Sequence, residues 1–543
     1  MSQDDATRPT GLPLPGKPIS LWLDTTPGTN FPGLDPGHVL DAVVLGGGLT
    51  GVNTACLLRR EGLSCAVIEA RRIGAGVTGN TTAKITSQHG LIYDHLTGAF
   101  GRDAAHVHAM ANQAAIERYA SLASELNIDC DFVRRPAYVY AETDDEVRAV
   151  ERETNAAKSA GIPAVFESSA ALPWPVKGAI RFDDQAQFHP RKYLLALVDE
   201  LRRGGTLFFE KTRVIEFREA RGAEGAYSVV TTDKGTIRAR HVVLATHYPV
   251  VDPAFFFARL YPKRSYVLGA RVAGPLPDGM FYSAGSPYRS VRAALTAEEG
   301  GEILLVGGAS HKTGHHGSAV ERYREVERFA RDRFPVQDIV YRWSTQDNVT
   351  PDKLPYIGRL PGYDRAWTAT GFAGWGMSQS MVAAMIITDA ILERGNAWAP
   401  TYSPKRLNAT GLPSLLTENV HAVGYLVSSN LTPPPAADLA AIAPGQGKVV
   451  MLGKERAAVA RDLAGKLHAV SPNCTHMGCV LKWNDAELSW DCPCHGSRFE
   501  LDGRVIHSPA KRDLRRLDHL LPPADRAPEE SDEPGLTAST PSA

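Results

Sequence analysis

The glycine pattern near the N-terminus is the feature that most constrains how this chain can fold. Gly46, Gly48 and Gly51 follow the apolar run "DAVVL" in G-x-G-x-x-G spacing. The helical pattern "LTGVNTACLLRREG" begins within this glycine motif and includes its last glycine. The first glycine permits a tight turn, the second lets backbone approach a pyrophosphate, and the third lets the helix pack on the strand. A second strand, "SCAVIEA", ends near Glu69, where a carboxylate accepts hydrogen bonds from an adenosine ribose. The sequence therefore predicts a βαβ unit that binds a dinucleotide, rather than glycines that merely turn the chain.

The length and charge of the chain limit the classes to which it can belong. A chain of 543 residues is too long for one ordinary core, so several domains are expected. Lys and Arg number 59 against 60 for Asp and Glu, which gives no electrostatic indication of nucleic acid or an anionic membrane surface. The N-terminus shows no export signal, and the longest apolar stretch contains polar residues and adjacent glycines. We therefore expect a cytoplasmic protein without a membrane span.

Two later segments carry a resemblance to a known family. A second glycine-rich loop, "RRIGAGVTGNTTAKITSQHG", follows Glu69, and "TPDKLPYIGRLPG" precedes "AWTATGFAGWGMSQSMVAAMIITDAIL" far downstream. With the first glycine motif, these segments resemble the D-amino-acid oxidase superfamily of FAD enzymes, sarcosine and glycine oxidases included, over roughly residues 39–393. The resemblance implies FAD and a set of contacts to it. These are Gly46, Gly48, Gly51, Glu69, Gly76, Thr81, Thr82, Val214, Gly374, Gly376 and Met377.

One residue departs from the family pattern. The strand "HVVLATH" resembles the strand that closes the FAD site, but His247 replaces the usual glycine after Ala-Thr. This substitution leaves the conformation of the local turn open. It does not change the expected cofactor, because the other motifs are separate and in the correct order.

The residues that would contact substrate are harder to identify from the sequence than the cofactor contacts. The loop "ASHKTGHHGS" contains a conceivable metal site, but it lacks a carboxylate or cysteine at ligand spacing, so a polar surface loop is the favoured interpretation. The histidines concerned are His311, His315 and His316. Possible contacts for a carboxylate or amine substrate, each of which can equally be structural or solvated, are Lys84, His89, Arg289 and Arg292. No catalytic residue is predicted.

The C-terminal region contains a dense group of soft metal ligands. Cys474 and His476 form a Cys-x-His pair, and Cys492 and His495 form a Cys-x-x-His pair. Two thiolates suit one iron of a [2Fe-2S] cluster and two imidazoles suit the other, which is the ligand set of a Rieske centre. Zinc is the competing metal, because Cys and His at short spacing also suit tetrahedral coordination. The presence of six candidate ligands favours the iron-sulfur cluster.

The same stretch resembles the Rieske domain closely. The segments "CTHMGC" and "CPCHGS" are nearly unaltered versions of its two cluster-binding loops. In Rieske proteins of the respiratory cytochrome bc type, cysteines at the positions of Cys479 and Cys494 form a disulfide, although two free thiols are the alternative in a reducing compartment. Ser497 is expected to donate to a bridging sulfide, whereas Phe499 replaces a tyrosine. The resemblance thus implies a reduction potential below that of respiratory Rieske proteins and above that of ferredoxins with only cysteine ligands. A redox titration measures this potential.

Together these patterns predict an α/β FAD-binding Rossmann-type domain with an inserted mixed α+β substrate domain, followed by a small all-β Rieske domain. The expected order is an irregular lead-in (1–37), the FAD-dependent oxidoreductase (38–411, with FAD-binding parts about 38–90, 180–250 and 335–395), a linker helix (412–431), the Rieske domain (432–522) and a disordered tail (523–543). Three scattered cysteines are expected to be small buried residues: Cys56, Cys65 and Cys130.

The combination of two redox centres predicts a function. Hydride transfer from a small amine, amino acid or related substrate to FAD, followed by single-electron steps through the cluster to an external acceptor protein, is the first hypothesis. In the second, the cluster delivers electrons inward to the flavin from a donor protein for a reductive or oxygenating reaction. In the third, the chain is a redox sensor or electron carrier without turnover.

Overall fold

The computed structural model describes residues 14–222, 225–295, 301–315, 317–406 and 411–525. Two compact units divide the chain. The first extends to Gly424 and includes Cys494–Gly496, and the second contains Tyr425–Pro493 and the residues from Ser497 onward. Within the described ranges, no helix is both long enough and apolar enough to cross a membrane.

The helices and strands alternate along the first unit and become short strands in the second. The helices are α1 (Leu21–Asp24), α2 (Leu49–Arg60), α3 (Tyr93–Phe100), α4 (Arg102–Glu125), α5 (Asp144–Ser159), α6 (Pro190–Arg203), α7 (Phe256–Arg259), α8 (Ala319–Arg333), α9 (Gly376–Ile391), α10 (Ala399–Tyr402) and α11 (Leu412–Leu431). The first strands are β1 (Val39–Leu45), β2 (Cys65–Ile68), β3 (Lys84–Ile85), β4 (Val133–Ala141), β5 (Val165–Glu167), β6 (Gly178–Gln187), β7 (Leu207–Phe209), β8 (Val214–Gly222), β9 (Gly225–Thr232) and β10 (Gly235–Leu244). The next are β11 (Tyr261–Val272), β12 (Met280–Ser283), β13 (Arg289–Leu295), β14 (Glu302–Lys312), β15 (Val336–Val349), β16 (Tyr356–Arg359) and β17 (Ala366–Thr370). The last are β18 (Gly447–Leu452), β19 (Glu455–Arg461), β20 (Leu467–Val470), β21 (Lys482–Asn484), β22 (Ser489–Asp491), β23 (Arg498–Glu500) and β24 (Val505–His507).

The predicted βαβ unit forms the centre of the first sheet. Its strand order is β16-β17-β10-β1-β2-β7, with β8 and β9 continuing from β10. The pairs β17–β10, β10–β1, β1–β2 and β2–β7 are all parallel. Strands β1 and β2 end in fully buried apolar runs, as expected for parallel strands covered on both faces. Helices α2 and α9 pack against each other.

The inserted substrate region is built on a second, mostly antiparallel sheet. Its order is β15-β11-β14-β13-β12-β4-β6-β3, with β5 paired to β6. The exception is the β12–β4 pair, which is parallel. Helix α8 packs on β11 and β14. The predicted mixed α+β region is therefore confirmed.

The C-terminal region is all-β, as the sequence predicted. Strands β18–β20 form one antiparallel sheet and β21–β24 form another. A small apolar core includes Val450, Leu467 and Leu517. Pro523–Asp525 form a short 3-10 helix at the beginning of the expected disordered tail, and the remainder of that tail lies outside the described residues.

The three scattered cysteines lie in the first unit. Cys56, Cys65 and Cys130 are all buried and free. Burial raises the pKa of the Cys65 and Cys130 thiols to about 12. They are therefore protonated and unreactive at neutral pH, as small buried residues should be.

Candidate functional site

The turn between β1 and α2 is closed by glycines that leave no room for a side chain. Gly46 has a φ of +109°, and a Cβ there would lie 2.4 Å from the carbonyl oxygen of Ala245. A Cβ on Gly51 would lie 2.0 Å from the carbonyl oxygen of Gly46. Helix α2 begins at Leu49 with Gly48 as its N-cap and without a capping side chain. The turn thus presents bare backbone at a helix N-terminus, which is a setting that binds a pyrophosphate.

Glu69 lies beside this turn. Its two carboxylate oxygens accept hydrogen bonds from the backbone N–H groups of Gly47 and Arg71, each at 2.9 Å. Burial raises the pKa of the Glu69 carboxyl. The N–H of Thr212 donates to the Glu69 carbonyl oxygen at 3.1 Å, which brings the segment before Val214 to the same place. The Val214 side chain packs in the apolar core, so a cofactor contact at this residue would use its backbone.

The second glycine-rich loop runs next to the first. Gly76 and Thr81 flank a 3-10 helix, and no atom lies within 4 Å of a Cβ built on Gly76. The hydroxyl of Thr78 accepts a hydrogen bond from the N–H of Leu49 at 3.1 Å, which joins this loop to the start of α2. Thr82 follows as a half-buried residue. The two predicted loops are therefore neighbours in space and fit the phosphates of a dinucleotide such as FAD.

The start of α9 supplies the third part of the predicted cofactor site. Gly374 is exposed with a φ of +92°, and Gly376 is the first residue of the helix. Met377 is buried, and its carbonyl accepts a hydrogen bond from the hydroxyl of Tyr119 at 3.0 Å. The positive end of the α9 dipole thus faces this loop, where it would stabilise negative charge on a bound group.

His247 adopts the conformation that a glycine would have. Its φ is +63°, in the left-handed region that is uncommon for residues with a side chain. Its carbonyl accepts hydrogen bonds from the Asn348 side-chain amide at 3.0 Å and from the Thr370 hydroxyl at 2.6 Å. These bonds hold the strained backbone, so the turn left open by the sequence keeps a left-handed conformation despite the substitution.

Four aromatic side chains, which we call the aromatic row, lie beside the start of α9. His89 stacks on Trp375 with ring centroids 4.8 Å apart. Trp375 meets Tyr282 edge to face at 5.1 Å, and Tyr282 stacks with Tyr288 at 6.3 Å. The sequence predicted only His89 from this row as a possible substrate contact. Trp375 lies within the recognised glycine-rich helix start and could have been found there, whereas no sequence signal marks Tyr282 or Tyr288.

A hydrogen-bonded chain fixes the tautomer of His89. Its Nε2 lies 2.8 Å from the carbonyl oxygen of Thr86, which can only accept, so Nε2 carries the hydrogen. Nδ1 then accepts from Nε2 of His108 at 3.1 Å, and Nδ1 of His108 accepts from the hydroxyl of Tyr402 at 3.1 Å. Burial lowers the pKa of His89 and lowers the pKa of His108 to about 3. Both imidazoles are therefore neutral at physiological pH.

Two buried basic side chains lie near Tyr282, an inner ring of the aromatic row. The Lys84 ammonium donates to the hydroxyl of Ser290 and lies 4.6 Å from the ring centroid of Tyr282. The Arg292 guanidinium donates to the Ala83 carbonyl oxygen at 2.6 Å. Burial lowers the pKa of Lys84 and lowers the pKa of Arg292 to about 9. In the described part of the chain, no carboxylate forms an ion pair with either group.

The other basic and histidine candidates have structural partners. Arg289 forms an ion pair with Glu325 at 2.8 Å. Nδ1 of His311 is 2.8 Å from the carbonyl oxygen of Lys312, and its Nε2 is 3.0 Å from the hydroxyl of Tyr266. Both ring nitrogens of His311 are thus engaged, but His311 is a half-buried residue of β14, so the expectation of a surface loop is wrong for this histidine. The backbone N–H of His315 donates to the same Lys312 carbonyl oxygen, and His316 lies outside the described residues.

Asp347 is a second acidic group of this site, and no sequence pattern indicated it. It lies on β15, and its carboxyl accepts a hydrogen bond from the backbone N–H of Gly374. Burial raises the pKa of the Asp347 carboxyl to about 6. Burial also raises the pKa of the Tyr288 hydroxyl, with the charges of Tyr140 and Asp347 adding to the effect. Asp347 therefore lies close to Tyr288, the last ring of the aromatic row.

In the C-terminal region, two of the predicted cluster ligands are buried free thiols. Cys474 and Cys492 are 3% and 1% exposed, so solvent does not reach either sulfur freely. A hydrogen bond with Cys492, together with one from Ser497 and two from backbone N–H groups, lowers the pKa of Cys474 to about 7. Thiolate is the form that binds iron, and this environment favours it.

The remaining residues of the cluster loops fit a Rieske centre as well. His476 is half-buried and His495 is buried. Cys479 and Cys494 are disulfide-bonded in the structure. The sulfur atoms of Cys479, Cys492 and Cys494 lie within 4.8 Å of one another, but the disulfide removes two of them as metal ligands. The cysteines and histidines that are left can supply two thiolates and two imidazoles. This donor set suits a Rieske [2Fe-2S] cluster.

The residues predicted to tune the cluster lie in the adjoining strands. Ser497 is fully buried, and its hydroxyl accepts a hydrogen bond from the N–H of Ala510 at 3.0 Å. The same hydroxyl can therefore direct its own hydrogen toward a sulfur. Phe499 is fully buried on β23 and has no hydroxyl to donate.

Comparisons with known proteins agree with both parts of the chain. The family model of FAD dependent oxidoreductases matches residues 41–390, and that of the Rieske [2Fe-2S] domain matches residues 433–518. The Rieske 2Fe-2S iron-sulfur protein YhfW of Bacillus subtilis is 35% identical over 504 residues, which cover 92% of this chain and 98% of that protein. The cytochrome b6-f complex iron-sulfur subunit of Chlorobaculum thiosulfatiphilum is 36% identical over 72 residues, which cover 13% of this chain and 39% of that subunit.

Solved structures share the fold of the larger part. Glycine oxidase from Geobacillus kaustophilus superposes with a TM-score of 0.56 at 20% identity, covering 68% of this chain and 100% of that one. L-proline dehydrogenase from P. horikoshii superposes with a TM-score of 0.55 at 21% identity, covering 68% and 98%. The chain belongs to the FAD dependent oxidoreductase family and carries a C-terminal Rieske [2Fe-2S] domain, so its cofactors are FAD and a [2Fe-2S] cluster.

Proposed function

We propose that the chain oxidises a small amine, amino acid or related substrate with FAD, and that the electrons leave through the Rieske cluster to an external acceptor. The observation that carries the proposal is the presence, on one chain, of an FAD dependent oxidoreductase region and a cluster-binding region with its full donor set. That donor set is Cys474, His476, Cys492 and His495. Several structural neighbours are named for oxidation of amino acids, which supports this substrate class.

The electron balance explains why two centres would be combined. Conversion of a CH–NH group to C=N removes two electrons and two protons from the substrate. FAD accepts electrons in pairs, whereas a Rieske cluster accepts them singly. Two equivalents of a one-electron acceptor therefore complete one turnover.

The residues of the first unit would bind and shield the reacting molecules. The glycine turn and the N-terminus of α9 would hold anionic parts of the cofactor through backbone N–H groups and helix dipoles. Neutral His89 and Trp375 would provide a stacked surface beside the α9 loop, and the burial of His89 would keep water away. The proposed FAD contacts are those that the sequence predicted, with Val214 contributing its backbone.

The experiment separates substrate oxidation from electron exit. Under anaerobic conditions, the full chain loaded with both cofactors is mixed with a panel of amines and amino acids, and flavin absorbance is followed with and without cytochrome c as a one-electron acceptor. His476→Ala and His495→Ala should keep flavin bleaching by substrate but lose acceptor reduction. His519→Ala, which changes an exposed histidine of the same region, serves as the matched control and should leave both signals intact.

Two results would contradict the proposal. If both cluster variants reduce the acceptor at the normal rate, the cluster is not the exit. If no substrate bleaches the flavin while NAD(P)H with a ferredoxin reductase does so only in the unmodified chain, electrons flow inward through the cluster.

A further inference from the structure

Asp347 occupies a position where a carboxylate can meet a ligand. It lies near the end of β15, directly opposite Lys263 of β11 in the antiparallel register. Its side chain is directed to the loop before α9, where a Cβ on Gly374 would be 3.8 Å from Oδ2. Asp347 is half-buried, so its carboxyl combines a desolvated setting with a partly open face.

The charge of Asp347 is only partly neutralised by the protein. No ion pair on Asp347 is found among the described residues, and the favourable charge of Lys263, opposite on β11, does not outweigh the effect of burial. Burial lowers the pKa of Lys263, so this amine is itself desolvated. Buried carboxylates are normally paired or fully hydrogen-bonded, and one that is not has a raised pKa. The single N–H of Gly374 leaves most of the acceptor capacity of this carboxyl unused.

The aromatic row next to Asp347 is suited to a positive charge. The faces of Tyr and Trp rings carry negative potential, which attracts ammonium groups. The Lys84 ammonium already lies over the ring of Tyr282, an inner ring of the row. Tyr288 is the last ring after Tyr282, and burial together with the charge of Asp347 keeps its hydroxyl neutral by raising the pKa. The hydroxyl of Tyr282 is buried without a hydrogen-bond partner among the described residues.

We propose that Asp347 binds a cationic group of the substrate, so that the oxidoreductase acts on amines that carry a positive charge next to the aromatic row. This inference rests on the proposed function and assigns the substrate class of the same site. Asp347 contributes an acceptor and a negative charge, and Tyr288 contributes a ring face. Selectivity then follows from charge: the site accepts an ammonium and rejects a carboxylate of the same length.

Three probes of equal chain length test the charge preference. Butylammonium, 1-butanol and butyrate are titrated anaerobically into the full chain loaded with FAD and cluster, and binding is measured by calorimetry while flavin absorbance reports reduction. Butylammonium should bind with a saturable signal, and the alcohol and the carboxylate should bind about tenfold or more weakly, as expected for loss of a partly buried charge pair.

Variants assign the effect to one carboxyl group. Asp347→Asn should weaken butylammonium binding about tenfold or more, whereas Asp347→Glu should retain much of it. Asp338→Asn removes the same charge from an exposed position on β15 and should leave the affinity unchanged. FAD content and the thermal midpoint of each variant show whether the fold is intact.

The pH dependence provides an independent readout. Among the described residues, the groups that interact with Asp347 are the Lys263 amine, the Tyr288 hydroxyl and the Gly374 N–H. Because burial raises the pKa of Asp347 to about 6, its carboxyl loses charge as the pH falls through that value. Butylammonium affinity should therefore decrease below about pH 6, and this decrease should be absent in Asp347→Asn.

The outcomes distinguish this inference from the proposed function. Cation binding that depends on Asp347 without flavin reduction would support the site and contradict the oxidation of this amine. Flavin reduction by amines that is equal in the unmodified chain and Asp347→Asn would support the function and overturn the inference. Butyrate binding as tight as butylammonium binding, or no binding of butylammonium, would also overturn it.

Discussion

The FAD dependent oxidoreductase region and the Rieske region hold the residues of their candidate sites in place by different means. In the first, large sheets and a broad apolar core bring together residues from distant parts of the sequence, such as His89, Tyr282 and Asp347. In the second, strands of three to seven residues surround a small core, and a disulfide joins the two ligand loops. Small domains commonly need such covalent or metal links because their cores bury little surface. The first region should therefore be sensitive to close packing and the second to its disulfide.

The largest effect is expected where packing leaves no space. In Gly51→Ala, the new Cβ would lie 2.0 Å from the carbonyl oxygen of Gly46 and 3.0 Å from a methyl of Val44. Overpacking of this severity costs about 3 kcal/mol or more, and the β1–α2 turn has to shift. We expect FAD to be lost from the purified protein, as measured by its absorbance per chain, together with a lower thermal midpoint.

Gly98→Ala is the matched control, because Gly98 lies within α3 and no atom lies within 4 Å of its added Cβ. This change should stabilise the helix by about 0.5–1 kcal/mol. If Gly51→Ala retains FAD as well as Gly98→Ala does, the glycine turn does not hold the cofactor.

The second effect concerns the covalent link of the Rieske region. Replacing both Cys479 and Cys494 by serine removes the disulfide, which should cost about 2–4 kcal/mol through a more disordered unfolded chain and mobile ligand loops. We expect the cluster absorbance to bleach at a lower temperature than in the unmodified protein. If the two regions differ as described, the double variant should lose its FAD absorbance at the same temperature as the unmodified protein does.

Thiol counting checks the disulfide directly. After removal of the cluster and denaturation, five free thiols should react, from Cys56, Cys65, Cys130, Cys474 and Cys492. Reduction should raise the number to the seven cysteines of the sequence. Seven reactive thiols before reduction would instead support the alternative of two free thiols beside the cluster.

The same contrast explains what the sequence could predict. The βαβ unit and the predicted cluster ligands depend on spacing within short segments, so Gly46, Gly51, the Cys-x-His pair and the Cys-x-x-His pair could be identified from the sequence. Asp347 was not, because its importance comes from the pairing of β15 with β11 and from the approach of the α9 loop. Strand patterns show which residues alternate, but they do not show which distant segment a side chain will face.

His247 shows a second limit of sequence interpretation. A side chain at a position that normally holds glycine suggests a changed turn, but the φ of +63° shows that the conformation is kept. Hydrogen bonds to its carbonyl from Asn348 and Thr370 offset the strain. Such compensation comes from residues more than a hundred positions away and has no local signal.

The smallest effect is expected where a side chain of one helix caps another. Helix α3 has no capping side chain of its own, and the Glu153 carboxylate on α5 accepts hydrogen bonds from the N–H groups of Tyr93 and Asp94, each at 2.8 Å. Glu153→Ala leaves these donors unsatisfied and should lower the free energy of unfolding by about 1–3 kcal/mol. Glu151→Ala, an exposed change on the same helix, is the control.

The pH dependence of this loss has a definite sign. Burial raises the pKa of the Glu153 carboxyl from its ordinary value to about 7, so the folded protein binds its proton more tightly than the unfolded chain does. The contribution is fully present below the unfolded pKa and is lost as the pH rises through about 7. The destabilisation by Glu153→Ala should therefore be greater at pH 5 than at pH 8. If the destabilisation by Glu153→Ala instead increases with pH, the folded protein stabilises the charged form of this carboxyl. The first region would then tolerate a buried charge better than its apolar core suggests.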